Sequence, residues 1–256
     1  MYAAERQDAI SALVRQQGRV SVADVAQRFG VTHETVRRDL DRLEGMGLVH
    51  RVHGGAVAYG ALTVVESSTA ERSGTRTEQK RRIGAAAVDL LPDANGAGSI
   101  LVDGGTTTGA LAAALPVNRE LTVVTNSVPT ASLLAGRGAL RVNILGGRIR
   151  GHTHATVGHE AMNTLNQLTV DVAFIGTNGL SARGATTPDT EEAAVKRAMA
   201  AAARTTVVLA DSTKMGETQM IVFAALADID VVVTDDGVAA ADVQLLRRHD
   251  IEVMLA

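Results

Sequence analysis

Five short segments of this chain combine glycines, hydroxyls and charge in a way that suits capture of a phosphate-like anion. Asp103-Gly-Gly-Thr-Thr-Thr108 follows an apolar run and opens a helical pattern. Its glycines let backbone amides approach a ligand, and its hydroxyls add donors at the positive end of a helix dipole. Thr125-Asn126-Ser127 repeats the design, Gly146-Gly147-Arg148 and Gly176-Thr177-Asn178-Gly179 end two further apolar runs, and Asp211-Ser212-Thr213-Lys214 ends a fifth and brings a cation. Any one of these is an ordinary tight connection. Five of them, each ending an apolar run, make a candidate binding edge.

A second constellation lies near the N-terminus. Net charge is only −3, yet Arg28, Arg37, Arg38, Arg42, Arg51 and three histidines fall between Arg28 and His53, while acids such as Asp228, Asp230, Asp235 and Asp236 come late. That asymmetry suits a DNA-contacting module on a neutral or acidic body. The elements that would position it are short. Ile10, Leu13 and Val14 give helical spacing from Ala3 to Gln17; Ser21 caps a second helix with Val22, Val25, Ala26 and Phe29 inward, stopped by Gly30. Thr32 caps a third, His33 to about Glu44, with Val36, Leu40 and Leu43 inward and His33, Glu34, Thr35, Arg37, Arg38 and Asp41 outward. Helix, short turn and a helix exposing Thr, His and Arg early is an arrangement that reads a major groove. Arg37 and Arg38 are expected at bases or phosphates, Thr32 and Thr35 at phosphates. Leu48 to Ala56 alternates before a glycine pair and is expected to form a hairpin wing carrying Arg51 and His53.

Residues 59–77 are expected to be a linker, so the predicted domains are 1–58, a winged helix-turn-helix, and 78–256. Beyond a helix from Lys80 to Leu91, runs at 99–103, 121–125, 141–145, 170–175, 206–210 and 229–234 are strands of the doubly buried type, with helical patterns between them. The fold class is therefore α/β with a mostly parallel sheet, and ligands of such sheets collect beyond the strand C-terminal ends.

Val31 to Ala56, VTHETVRRDLDRLEGMGLVHRVHGGA, resembles the signature of the DeoR family of transcriptional regulators, an RRDL helix followed by an RVHGGA wing. The C-terminal segments resemble that family's sensor domain, which shares its fold with ribose-5-phosphate isomerase and coenzyme A transferases. The resemblance covers essentially the whole chain. It implies DNA contacts at Thr35, Arg37 and Arg38, to which the helix start and wing add Thr32, His33, Arg51 and His53, and a sugar-phosphate effector held by Asp103, Gly105, Thr106, Thr107, Thr108, Asn126, Ser127 and Lys214, to which the strand ends add Gly104, Gly147, Gly176, Asn178 and, as a weaker candidate, Arg148. Lys196 is a weaker candidate for the same site, and a solvated ion pair with Glu192, four residues earlier, is at least as good a reading of it. MYAAERQDAI, RTEQKRRI (76–83), TNSVPTA (125–131) and IGTNGLS (175–181) resemble fructose operon repressors within the family, which implies fructose 1-phosphate as effector. A homodimer or homotetramer on operator DNA is expected, because paired half-sites multiply the affinity of a small reading head.

The rival is a sugar-phosphate isomerase, since fold does not fix function. Such an enzyme needs a carboxylate base, and where the isomerases carry an acidic strand end this chain has Gly176-Thr177-Asn178-Gly179. No catalytic residue and no cofactor are therefore expected. The chain has no Cys, which excludes disulfides and thiolate metal sites. His152, His154 and His159 are too irregularly spaced for a metal set and are expected in a surface loop. No apolar run is long enough to span a membrane and the N-terminus lacks a signal core, so a cytoplasmic protein is expected.

Overall fold

The computed structural model describes residues 3–17, 19–46, 48–52, 54–58, 68–92 and 98–256. The chain divides into two compact units, Met1–Val65 and Glu66–Ala256.

The first unit contains α1 (Ala3–Gln17), β1 (Arg19–Ser21), α2 (Val22–Phe29), α3 (His33–Gly45), β2 (Val49–Val52) and β3 (Gly55–Ala58). The helix ends follow local chemistry. The Ser21 hydroxyl accepts the Asp24 amide at 3.0 Å, and Gly30 stops α2 at φ +64°, a left-handed conformation that costs glycine little. Ile10, Val14, Val25, Val36, Leu40 and Leu43 form the core expected from their spacing. β1 was not expected. It is three residues long and exists through its antiparallel pairing with β3, which gives the sheet order β1-β3-β2. Gly55 is required there, because a Cβ would stand 2.0 Å from the Val20 carbonyl oxygen.

The second unit contains α4 (Thr69–Ser73), α5 (Thr77–Ala86), β4 (Gly98–Val102), α6 (Thr106–Ala114), β5 (Leu121–Thr125), α7 (Val128–Leu134), β6 (Leu140–Ile144), β7 (Arg148–Arg150), β8 (Ala155–Val157), α8 (His159–Leu165), β9 (Val170–Gly176), β10 (Gly179–Ser181), β11 (Gly184–Thr187), α9 (Thr190–Ala201), β12 (Ala203–Leu209), β13 (Ile221–Ala224), β14 (Val231–Thr234), α10 (Ala240–Arg247) and β15 (Glu252–Leu255). Seven strands form a wholly parallel sheet in the order β15-β14-β12-β9-β4-β5-β6. Six are the expected ones, but β6 is an edge strand with Arg141, Asn143 and Ile144 exposed and not the doubly buried strand expected; β15, at the other edge, has mixed burial and lacks the continuous apolar signature. Along β4, Ile100 and Val102 pack with Ile83, Leu111 and Leu134 on one face, while Leu101 packs with Ala161, Val195 and Met199 on the other. Burial on both faces explains the unbroken apolar runs.

Part of the stretch read as linker is folded. Ser68 and Glu71 form a reciprocal capping box that starts α4, with Ser68 N–H donating to Glu71 at 2.8 Å. From β4 the chain moves outward through β5 and β6, then returns to place β9 on the other side of β4. The crevice between the ends of β4 and β9 is thus the switch point of the sheet, where ligands of doubly wound folds bind. α5 and α6 meet there at backbone contact, since a Cβ on Gly84 would lie 2.5 Å from the Ala110 carbonyl carbon. Among the described residues no helix is long and apolar enough to cross a membrane.

Candidate functional site

In the first unit, the start of α3 presents its charges to solvent. Arg37 and Arg38 are 57% and 78% exposed and pair with Glu34, at 3.8 and 3.4 Å. His33 and Thr32 are exposed, and Thr32 accepts the Thr35 amide at 3.2 Å while the two hydroxyls lie 2.9 Å apart. These threonines therefore shape the helix start as well as facing outward. Arg51 is less free than expected. Its guanidinium pairs with Asp41 of α3 and its amide donates to Glu44 at 2.8 Å, so β2 is braced on the helix. His53 lies outside the described residues. Asp39, inside the RRDL motif, faces inward: it accepts from Arg6 at 2.6 Å and Gln7 at 2.8 Å, tying α3 to α1. Its place in a charged run hid this role, although its spacing from Val36 and Leu43 puts it on the inner face.

In the second unit, a cleft beside the first turn of α6 is lined by Thr69, Gly105, Gly109, Ser127, Pro129, Thr130, Leu133 and Thr153. No side chain caps α6 at Gly105, so its first-turn amides are open to an anion. Asn126 holds the approach by accepting the Gly104 amide at 2.8 Å, and Gly104 must be small because a Cβ would come within 2.9 Å of Ala155 Cβ. Thr106 and Thr107 are half-buried. Thr108 is buried with its hydroxyl donating to the Gly105 carbonyl at 3.1 Å, and buried Ser127 caps α7 by accepting the Thr130 amide at 3.2 Å. Both serve the shape of the loops.

Deeper in the switch point, Lys196 reaches from α9 to pair with Asp103 and to donate to the Gly176 carbonyl at 2.9 Å, while the Gly176 amide donates to Asp103 at 3.0 Å. The two side chains are 5% and 2% exposed. Glu192, one turn earlier, is also buried and accepts from Thr153 and from Arg150 at 3.2 Å; Arg150 also meets Asp189 at 3.2 Å. Burial pushes the Glu192 carboxyl above its ordinary range, opposed by the charge of Lys196 and the Thr153 hydrogen bond. The expectation of a solvated Glu192–Lys196 pair is therefore corrected. The N-terminal half of α9 lies over the sheet edge, with Phe223 of β13 under the Lys196 ammonium at 5.5 Å from the ring centre.

The strand end at Gly176-Thr177-Asn178-Gly179 is committed to turn structure. Thr177 donates to the Gly179 carbonyl at 2.7 Å, and the Asn178 amide donates to Thr186 at 3.1 Å with its Oδ1 3.3 Å from Thr187. Gly147 needs its φ of +125°, since a Cβ would lie 2.5 Å from the Val157 carbonyl oxygen; Arg148 pairs with Glu191. His152, His154 and His159 are exposed.

A cationic group escaped the sequence reading. Lys80, buried at the start of α5, donates to the Arg72 carbonyl at 2.6 Å and the Thr75 carbonyl at 2.7 Å. Burial lowers its pKa, with Asp211 raising it and Lys214, Arg72 and Arg76 lowering it further, so half-buried Lys214 belongs to this group. Arg76 reaches Ser212 at 2.7 Å and Asp235 at 3.0 Å. The signal was available in RTEQKRRI, where Arg76 at the cap of α5 precedes Lys80 by four residues.

Residues 6–60 match the DeoR-like helix-turn-helix domain and residues 75–236 the DeoR C terminal sensor domain. The chain is 34% identical to an uncharacterized HTH-type transcriptional regulator of Escherichia coli, YgbI, over 100% of this chain and 99% of that protein. It is 30% identical to the glycerol-3-phosphate regulon repressor of the same organism, over 98% of each, and 31% identical to the transcriptional repressor GlcR of Bacillus subtilis, over 100% of this chain and 97% of the relative. Among solved structures, ribose 5 phosphate isomerase A of Neisseria gonorrhoeae aligns with a TM-score of 0.41 at 21% identity, over 55% of this chain and 54% of that one.

Proposed function

This chain belongs to the DeoR family of DNA-binding transcriptional regulators, and we propose from that premise that it represses a fructose phosphotransferase operon and releases it when fructose 1-phosphate binds the second unit. The observation that carries the effector reading is the uncapped start of α6 opening into a cleft beside the sheet's switch point. The amides of Gly105, Thr106 and Thr107 offer donors to a phosphate, and Arg72, Lys80 and Lys214 add positive potential nearby. Asp103 and Lys196 neutralise each other inside the wall, where they set its shape.

An isomerase reading is disfavoured by the same residues. A base must be within reach of the carbon that loses its proton, and Asp103 is already engaged by Lys196 and the Gly176 amide. In the first unit, Arg37 and Arg38 suit a polyanion because both are exposed and, among the described residues, meet Glu34 alone in loose pairs. The reading head works as part of a dimer or tetramer, and effector binding favours an arrangement in which the heads no longer match the operator.

The sugar end is the open term in this proposal. Relatives are named for glycerol 3-phosphate and for a lactose phosphotransferase system, so a panel is required. Fluorescence anisotropy on DNA upstream of the chain's own gene cluster, with and without fructose 1-phosphate, glycerol 3-phosphate and tagatose 6-phosphate, tests it. Release by fructose 1-phosphate alone is expected, and weaker release is expected of Lys214→Ala. DNA binding that ignores fructose 1-phosphate but responds to another member reassigns the effector; no DNA binding defeats the reading.

A further inference from the structure

We infer that Thr69, at the start of α4, is the point where an effector in the cleft is sensed by the segment that leads back to the DNA-binding unit. The inference rests on the proposed effector site and adds its means of regulation. Thr69 lines the same cleft as Gly105 and Thr153. Its amide and its hydroxyl both donate to one acceptor, the His152 carbonyl, at 2.8 and 3.1 Å. That carbonyl belongs to the loop 151–154, whose next residue, Thr153, is held by Glu192. Glu192 stands one helical turn from Lys196, the partner of Asp103 at the root of the Gly104-Gly105 loop. The His154 carbonyl also accepts the Val128 amide at 3.0 Å, so the loop is joined to the far side of the cleft. Thr69 therefore sits where the ligand walls and the return path of the chain coincide.

The other end of α4 is fixed. Lys80 clasps the Arg72 and Thr75 carbonyls, and Arg76, held at φ +54°, is anchored to Ser212 and Asp235. A residue with a Cβ keeps that left-handed conformation only where its surroundings hold it. α4 is thus hinged at its C-terminal end and latched at its N-terminal end by Thr69. A phosphate entering beside Gly105 is a charged acceptor, stronger than a neutral carbonyl, and draws the Thr69 hydroxyl from His152. Residues 59–67 join α4 to the first unit in sequence, so the latch lies at the first described residues of the connection. A ligand shifts an equilibrium only through a contact that differs between the two states, and this contact does.

The test uses the full-length chain and Thr69→Pro. Proline lacks the amide and the hydroxyl, yet it suits the first helical position, and Ser68 at φ −61°, ψ 159° already has the conformation that precedes proline. Calorimetry first selects, from the panel above, the sugar phosphate that wild type binds. Anisotropy then gives the ratio of operator Kd with and without it. In wild type the ratio is expected to be about 10-fold or more; in Thr69→Pro it falls towards unity, with sugar-phosphate binding retained and weaker by about 10-fold at most, the cost of one hydroxyl contact. An unchanged ratio overturns the latch while leaving the effector site intact, and complete loss of sugar-phosphate binding in the variant makes Thr69 an anchor of the ligand in place of a latch and also overturns it. If wild type binds no sugar phosphate, the effector reading itself fails. Should the variant not fold, hydrogen exchange on wild type decides: protection of residues 68–74 is expected to change on adding the sugar phosphate, and unchanged protection there overturns the latch.

Discussion

The charges at the start of α3 and those at the switch point of the sheet are of similar kinds and serve opposite ends. Arg37 and Arg38 stand exposed with Glu34 as their partner, and exposed i,i+3 and i,i+4 pairs are worth a few tenths of a kcal/mol. Asp103, Lys196 and Glu192 are buried and each is matched to a fixed donor or acceptor. An exposed charge can be lent to a ligand without disturbing the fold. A buried one cannot, because the group left behind keeps its desolvation penalty.

The contrast is broken most directly by Lys196→Ala, which strands the Asp103 carboxylate in the interior. A loss of about 3–5 kcal/mol of stability is expected in urea unfolding of the second unit, and a loss below about 1 kcal/mol would mean that water reaches the pair. Arg38→Ala takes the other side. Its stability should change by less than about 0.5 kcal/mol, while operator affinity falls by about 1–3 kcal/mol if it reads a base, or its salt slope drops by about 1 if it holds a phosphate. Anisotropy over a range of salt concentrations separates the two.

A smaller effect sharpens the comparison within the reading head. Thr32→Ala removes the cap of α3 and should cost the first unit about 1 kcal/mol, seen as a lower thermal midpoint. The smallest is a pH effect. Burial raises the Glu192 carboxyl above its ordinary value of 4.5, so the folded protein keeps a proton there that the unfolded chain has released. Stability from this group is full below that ordinary value and is lost as pH rises through the raised one. Glu192→Gln should flatten the stability profile across that interval, and a profile identical to wild type would count against a buried, proton-holding carboxyl.

Much of this was legible along the chain. The three helices of the first unit, the caps at Ser21 and Thr32, six parallel strands and the glycine-rich strand ends all follow from periodicity and local capping chemistry. The capping box at Ser68 and Glu71 was equally local and escaped notice among mixed charges in what reads as linker. Other features depended on partners distant in sequence. β1 needs β3 to exist, and β15 is an edge whose residues carry no strand signature of their own. Glu192 and Lys196 look like a surface pair until α9 is laid over the sheet edge.

The proposed DNA-reading surface was thus legible at the level of sequence, since its residues lie on one short helix whose exposed face is set by the apolar residues on its other side. The proposed effector cleft was decided by tertiary structure. Its walls come from Thr69, Gly105, Ser127 and Thr153, which only the winding of a parallel sheet brings together. Helical periodicity specifies which side chains point outward, but which of them are then covered, and by what, depends on contacts that span the whole second unit.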